Sequence, residues 1–244
     1  MNKLYNKSEI GFAIGWIIVY IFGTSVTDSI GAVIGIQKLV TLMFYIELTV
    51  LSLLWIKKNG LFEKYGLCKT DIKPSKFLLY IPIPVMISSN LWYGVAINSK
   101  AYEIVINILL MLCVGYLEEI IFRGFLFKAM AKDNVKSAII VSSVTFGIGH
   151  IINLFNGSGM SLVANLCQIA SAVAFGFLFV VIFYRGKTLL PCIVAHSGIN
   201  MLGVFVNEGN VTPRNQIIIS IVLIILAVGY TLILLKTLPQ SEKA

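Results

Sequence analysis

Apolar runs of about 17 to 25 residues, each long enough to cross a bilayer, recur from one end of this chain to the other. Eight read as helices: Ile10 to Val26, Leu39 to Ile56, Phe77 to Ile97, Ile104 to Phe127, Ser137 to Ile152, Met160 to Tyr184, Leu189 to Val206 and Gln216 to Leu235. Between them no stretch is left that could build a water-soluble domain. The composition agrees, with 58% hydrophobic and only 12% charged residues, where a soluble domain carries about 25% charged residues. The expectation is an all-α fold, a polytopic membrane helical bundle of about eight transmembrane helices, with residues 1–244 forming a single integral-membrane domain. The fifth run is short, ~24 Å at helical rise, and so suits a core position shielded by its neighbours. The first run resembles a secretory signal but lacks a small-residue cleavage site, and reads as an uncleaved first helix. No internal repeat is visible, which disfavours inverted-repeat transporter folds.

The net charge of +8 is dispersed over short loops, not gathered on one basic face, so no nucleic-acid partner is expected. Lys and Arg instead divide sharply between alternate loops. With the N-terminus inside, sixteen fall on one side, Arg123, Lys236 and Lys243 among them, and only Lys38, Lys100 and Arg214 on the other. Positively charged loops stay in the cytoplasm, so both termini are expected there. Lysine outnumbers arginine sixteen to three, a bias that suggests an AT-rich bacterial genome and hence a bacterial cell membrane. The longest loop, "KKNGLFEKYGLCKTDIKPSK", reads as a solvated linker. Cys68, Cys113, Cys167 and Cys192 have neither metal-ligand spacing nor an evident pairing.

Ionisable groups deep in a bilayer are costly, about 2.5 to 3.5 kcal/mol on insertion scales, so each should have a partner or a task. "GYLEEIIFRGFLF" puts Glu118 ~15 Å inside the lysine-rich edge at helical rise. His150 lies ~21 Å inside it, and His196 and Asn200 ~14 and ~20 Å. These are the only two histidines of the chain, and three separate helices bring them to one slab with two carboxylates. Glu119 and Arg123, spaced i and i+4 with the acid first, should pair. Glu118 then points about 100° away around the helix, unpartnered and free to face a cavity, which suits a general base accepting a proton from water. His196 and Asn200 share a helix face, and the Asn amide can donate to a developing oxyanion. Phe146 lies one turn before His150 and reads as packing. Glu47, Asn90, Asn107, Asn165 and Gln168 read singly as glue between helices.

Taken together, "EEIIFR", "FGIGH" and "HSGIN" resemble the three motifs of the CPBP family, the CAAX proteases and bacteriocin-processing (Abi) enzymes. The resemblance covers about Ile104 to Val206, a catalytic core within the chain. It implies an intramembrane endopeptidase whose site opens toward the cytosol, with Glu118 and His150 activating water, Glu119 held by Arg123, and His196 with Asn200 receiving the oxyanion. All seven motif positions match. No cofactor is expected for that mechanism; the alternative is zinc held by Glu118, His150 and His196, although "HExxH" is absent. The partners implied are a peptide or membrane-protein substrate and the lipid bilayer. Two other functions use the same features: a proton-coupled transporter, and a non-proteolytic bacteriocin-immunity protein.

Overall fold

The computed structural model describes residues 1–35, 38–155 and 159–239. Lys243 and the C-terminus, assigned above to the cytoplasmic side, lie outside the described residues. Among the described residues six helices are long and apolar enough to cross a membrane. They are α1 (Glu9–Ile34), α2 (Leu39–Lys58), α4, which begins as Ala101–Glu119 and runs on to Ala131, α5 (Val135–Gly149 with the 3-10 turn His150–Leu154), α6 (Leu162–Gly186) and α8 (Pro213–Thr237). Shorter helices, among them α3 (Pro82–Ile87), α7 (Leu190–Leu202) and the N-terminal turn Asn2–Lys7, complete an all-α membrane bundle.

Helix starts follow local chemistry. Ser8, Asn134, Ser161 and Thr212 each accept a hydrogen bond from the backbone N–H three residues on, and Pro213 opens α8 with a φ already suited to a helix.

The expected third span, Phe77 to Ile97, is not one helix. It is a 3-10 segment, Pro74–Tyr80, then α3, then a second 3-10 segment, Ser88–Tyr93. Leu78, Leu79 and Tyr80 have φ values of 50°, 51° and 58°, a left-handed conformation that no right-handed helix tolerates. Pro82 and Pro84 follow, and each lacks the N–H a continuing helix would need. An apolar run measured hydropathy correctly here but not backbone continuity. By contrast, the expected seventh span, Leu189 to Val206, is present as α7 continued by the 3-10 turn Gly203–Phe205.

The lysine-rich loop is not a free linker. Tyr65 and Phe77 are buried, Leu189 N–H donates to Gly66 O, and Thr188 Oγ1 donates to Cys68 O. Lys64 and Lys132 both meet the Glu9 carboxylate, at 2.8 and 2.7 Å, tying the loop to the start of α1 and the end of α4.

Within the bundle α6 packs between α5 and α8, while α4 packs between α2 and α7. Water does not drive helices together inside a bilayer, so close approach at small residues matters. Gly147 on α5 meets the backbone of α6: a Cβ there would lie 2.8 Å from Val173 N. Gly115 on α4 does the same against α7, where a Cβ would lie 2.6 Å from Ser197 N. The second contact sets the site.

Candidate active site

Helix α4 carries the two glutamates to the point where its hydrogen-bonding changes. From Ile120 to Phe127 the helix is of π type, and all eight residues are buried. Such segments are rare, and they cluster at functional positions because they re-aim side chains within an otherwise regular helix. Glu119 sits at the junction and Arg123 inside the π segment. Both are fully buried and joined by Arg123 Nη1 donating to Glu119 Oε1 at 3.0 Å. Two other guanidinium nitrogens, Nε and Nη2, are buried without a hydrogen-bond partner among the described residues. Aromatic faces take their place: the guanidinium carbon lies 4.0 Å from the centre of the Phe146 ring and 5.6 Å from that of Phe179. A desolvated cation over such rings is stabilised by their quadrupoles, by about 2 kcal/mol or more.

The close contact of Gly115 with Ser197 brings His196, the next residue on α7, against both glutamates. His196 Nδ1 lies 2.8 Å from Glu119 Oε1, and Nε2 lies 3.6 Å from Glu118 Oε2. Because a carboxylate can only accept, Nδ1 carries the proton in the Glu119 contact. Glu119 therefore fixes the orientation of the ring, and is itself fixed by Arg123. Nε2 is left facing Glu118.

The expectation that Glu118 stands without a partner is corrected. Tyr20, on α1, donates its hydroxyl to Glu118 Oε1 at 2.7 Å. Tyr20 is in turn stacked on Tyr45 of α2, with ring centroids 5.2 Å apart, and Tyr45 meets Thr24 Oγ1 at 2.8 Å. One carboxylate oxygen of Glu118 is thus committed to Tyr20, while the other points toward His196.

His150 ends the α-helical part of α5. Its Nδ1 lies 3.0 Å from Phe146 O, and Asn165 donates to its backbone carbonyl at 2.8 Å. Among the described residues no hydrogen bond joins His150 to Glu118. Instead, Phe146 links the groups: its ring is edge-on to His150 at 5.2 Å and to His196 at 5.6 Å, beneath the Arg123 guanidinium. Phe146, His150, His196 and Asn200 all line one cavity of about 300 Å3. Glu118 does not line it and reaches it through His196.

Sequence reasoning missed Tyr20, although its signal was present. Phe12, Trp16 and Tyr20 recur every four residues as the buried stripe of α1, and Tyr20 is the member of that stripe with a hydroxyl. Among the described residues no three His, Cys, Asp or Glu side chains converge to hold an ion. Glu118, His150 and His196 are not brought together as three ligands.

An all-α membrane bundle that buries carboxylates, an arginine and a histidine beside a cavity has the architecture of a membrane-embedded enzyme. The family model described as "Type II CAAX prenyl endopeptidase Rce1-like" matches residues 100–202, which include all seven motif residues. Over those residues the chain is thus similar to a family of CAAX endopeptidases, in line with the resemblance of its motifs. No curated protein and no solved structure matched the chain.

Proposed function

We propose that this chain hydrolyses a peptide bond inside the membrane with Glu118 as general base. A water molecule attacks the carbonyl carbon and gives its proton to Glu118, aided by His150. The resulting oxyanion takes hydrogen bonds from His196 and Asn200. As the C–N bond breaks, Glu118 returns the proton to the departing amine. Glu119 and Arg123 position His196, and neither a covalent enzyme intermediate nor a cofactor takes part. Residues 104–206 act as the catalytic core of one integral-membrane domain. The observation that carries the proposal is the bridging position of His196. It touches both glutamates, at 2.8 and 3.6 Å, and also lines the cavity shared with His150 and Asn200.

The substrate is a peptide or membrane protein, and in a bacterial cell membrane a leader or signalling peptide, bacteriocin leaders included, fits better than a prenylated CAAX terminus. Glu118→Gln keeps the shape and the Tyr20 contact but cannot take a proton. Mass spectrometry of membrane peptides from cells carrying the native or the Glu118→Gln protein should reveal products present only with the native form. Identical peptide sets would refute the glutamate mechanism.

A further inference from the structure

We propose that Asn165, on α6, is a positioning residue for the reaction: its buried amide holds the end of α5 so that His150 presents one ring nitrogen to water. This rests on the protease reading for the task of His150, but not for how its ring is held.

His150 stands apart from the relay that fixes His196, since among the described residues no carboxylate reaches its ring. Backbone orients it instead. At His150 the α-helix gives way to a 3-10 turn, and the His150 N–H turns to Gly147 O and Ile148 O. In a regular helix that N–H would bond to Phe146 O, four residues back. Here the His150 ring takes up the same carbonyl, with Nδ1 at 3.0 Å. A carbonyl can only accept, so Nδ1 is the donor and Nε2 is the nitrogen left to take a proton. The ring keeps this pose only as long as the turn beneath it stays in place.

Asn165 pins that turn. The residue is fully buried, and its Nδ2 donates to the His150 carbonyl at 2.8 Å. Two further features hold α5 to α6 at this level. Gly147 lets the two backbones approach, since a Cβ there would lie 2.8 Å from Val173 N and 3.1 Å from Ile169 O. Asn153 Nδ2 donates to Gln168 Oε1 at 2.9 Å, a second amide contact beyond the first.

Packing does not account for Asn165. Its Oδ1 is buried with no hydrogen-bond partner among the described residues, and such an atom bears its desolvation penalty uncompensated. A leucine would fill the space without that penalty, but it could not hold the His150 carbonyl. The penalty is therefore tied to the contact with His150, and misplacing a reacting group by about 1 Å can cost about a hundredfold in rate.

His150 and His196 are the only histidines of the chain, so full-length protein labelled with 15N-histidine gives ring signals from two residues, assigned through a His150→Gln form. In detergent micelles at mildly alkaline pH, a ring held in one tautomer shows a protonated and an unprotonated nitrogen far apart in shift. A released ring exchanges tautomers, and its two signals converge. In Asn165→Leu the His150 signals should converge while those of His196 stay in place. Peptides that appear only with the native protein should fall about tenfold to a hundredfold at an equal level of folded protein. Asn165→Ser, too short to reach the carbonyl, should behave in the same way and serves if the leucine form does not fold. Asn107→Leu is the control: it removes an amide that bonds to Glu103 O within α4, and should leave the His150 signals unmoved. Unmoved His150 signals in a folded Asn165 variant would overturn the proposal. An equal change at His196 or in Asn107→Leu, or an undiminished yield of those peptides, would overturn it too. If cells carrying the native and Glu118→Gln proteins gave identical peptides, the glutamate mechanism would fail, and the His150 signals would still decide what Asn165 holds.

Discussion

At the scale of single residues the site is a relay of fixed orientations. Arg123 holds Glu119, Glu119 holds the His196 ring, and Tyr20 holds Glu118 from a helix outside the region matched by the family model. A hydrogen bond to a charged group is worth about 1.5 to 3 kcal/mol, and a carboxylate that must take a proton from a placed water gains from losing rotational freedom. Tyr20→Phe removes one oxygen and leaves the stacking on Tyr45. The variant should keep its KM but lose about tenfold or more in kcat, equivalent to roughly 1.5 kcal/mol. A rise in KM with kcat unchanged would show that Tyr20 serves binding and not Glu118. The buried ion pair makes a separate prediction. Removing one partner of such a pair leaves an uncompensated charge and costs about 3 to 5 kcal/mol. Arg123→Met should therefore lower the melting temperature sharply in detergent, and adding Glu119→Gln should restore part of it. An Arg123→Met protein as stable as the native form would mean that the pair is not buried.

At the scale of elements, one local departure from a regular helix and one close contact between helices create the site. The π segment Ile120–Phe127 follows directly after the glutamates, and the contact of Gly115 with Ser197 lets α7 approach α4 closely enough for His196 to reach them. In Gly115→Ala the new methyl group would meet the α7 backbone, and overpacking of this kind costs about 1 to 3 kcal/mol. More tellingly, it would lever His196 away from Glu119. The expected outcome is a larger loss of cleavage than of thermal stability, measured on the same preparation. Equal losses would mean a general packing defect. The i, i+4 pairing of Glu119 and Arg123 was legible because it needs only one helix. The partner of Glu118 was not, since Tyr20 lies 98 positions away and helical spacing carries no information across helices.

At the scale of the whole molecule, the lysine-rich loop clasps the cation-rich end of the bundle. Glu9 receives Lys64 and Lys132, while Lys64 also meets Tyr5 Oη at 2.6 Å. Partial burial works against the charge on Lys64, but the Glu9 carboxylate and the Tyr5 hydroxyl outweigh it and hold the ammonium above the ordinary lysine range. A raised lysine value gives stabilisation that is complete below the ordinary lysine pKa and fades as pH climbs through the raised one. Partial burial raises the Glu9 carboxyl, but Lys132 and Lys64 outweigh it and hold it below the ordinary carboxylate range, so the clasp should persist unchanged across neutral pH and loosen both in alkali and in acid. Glu9→Gln, at partly exposed positions, should cost a few tenths to about 1 kcal/mol and make residues 59–76 more open to added protease at pH 7. Unaltered digestion would show that Tyr65, Phe77 and the backbone bonds hold the loop without the ion pairs.

Hydropathy alone determined that this chain is an all-α membrane bundle, because covering so much apolar surface leaves no soluble alternative, and motif order alone determined its family resemblance. Charge counting set one end of the bundle apart from the other for the same reason, since both quantities are sums along the chain. Only the tertiary structure decided that Tyr20 completes the surroundings of Glu118, that His196 and not His150 contacts the glutamates, that the third span breaks, and that Asn165 reaches the His150 carbonyl. Those outcomes depend on close contacts between distant helices and on left-handed backbone angles, and neither leaves a period or a composition to read.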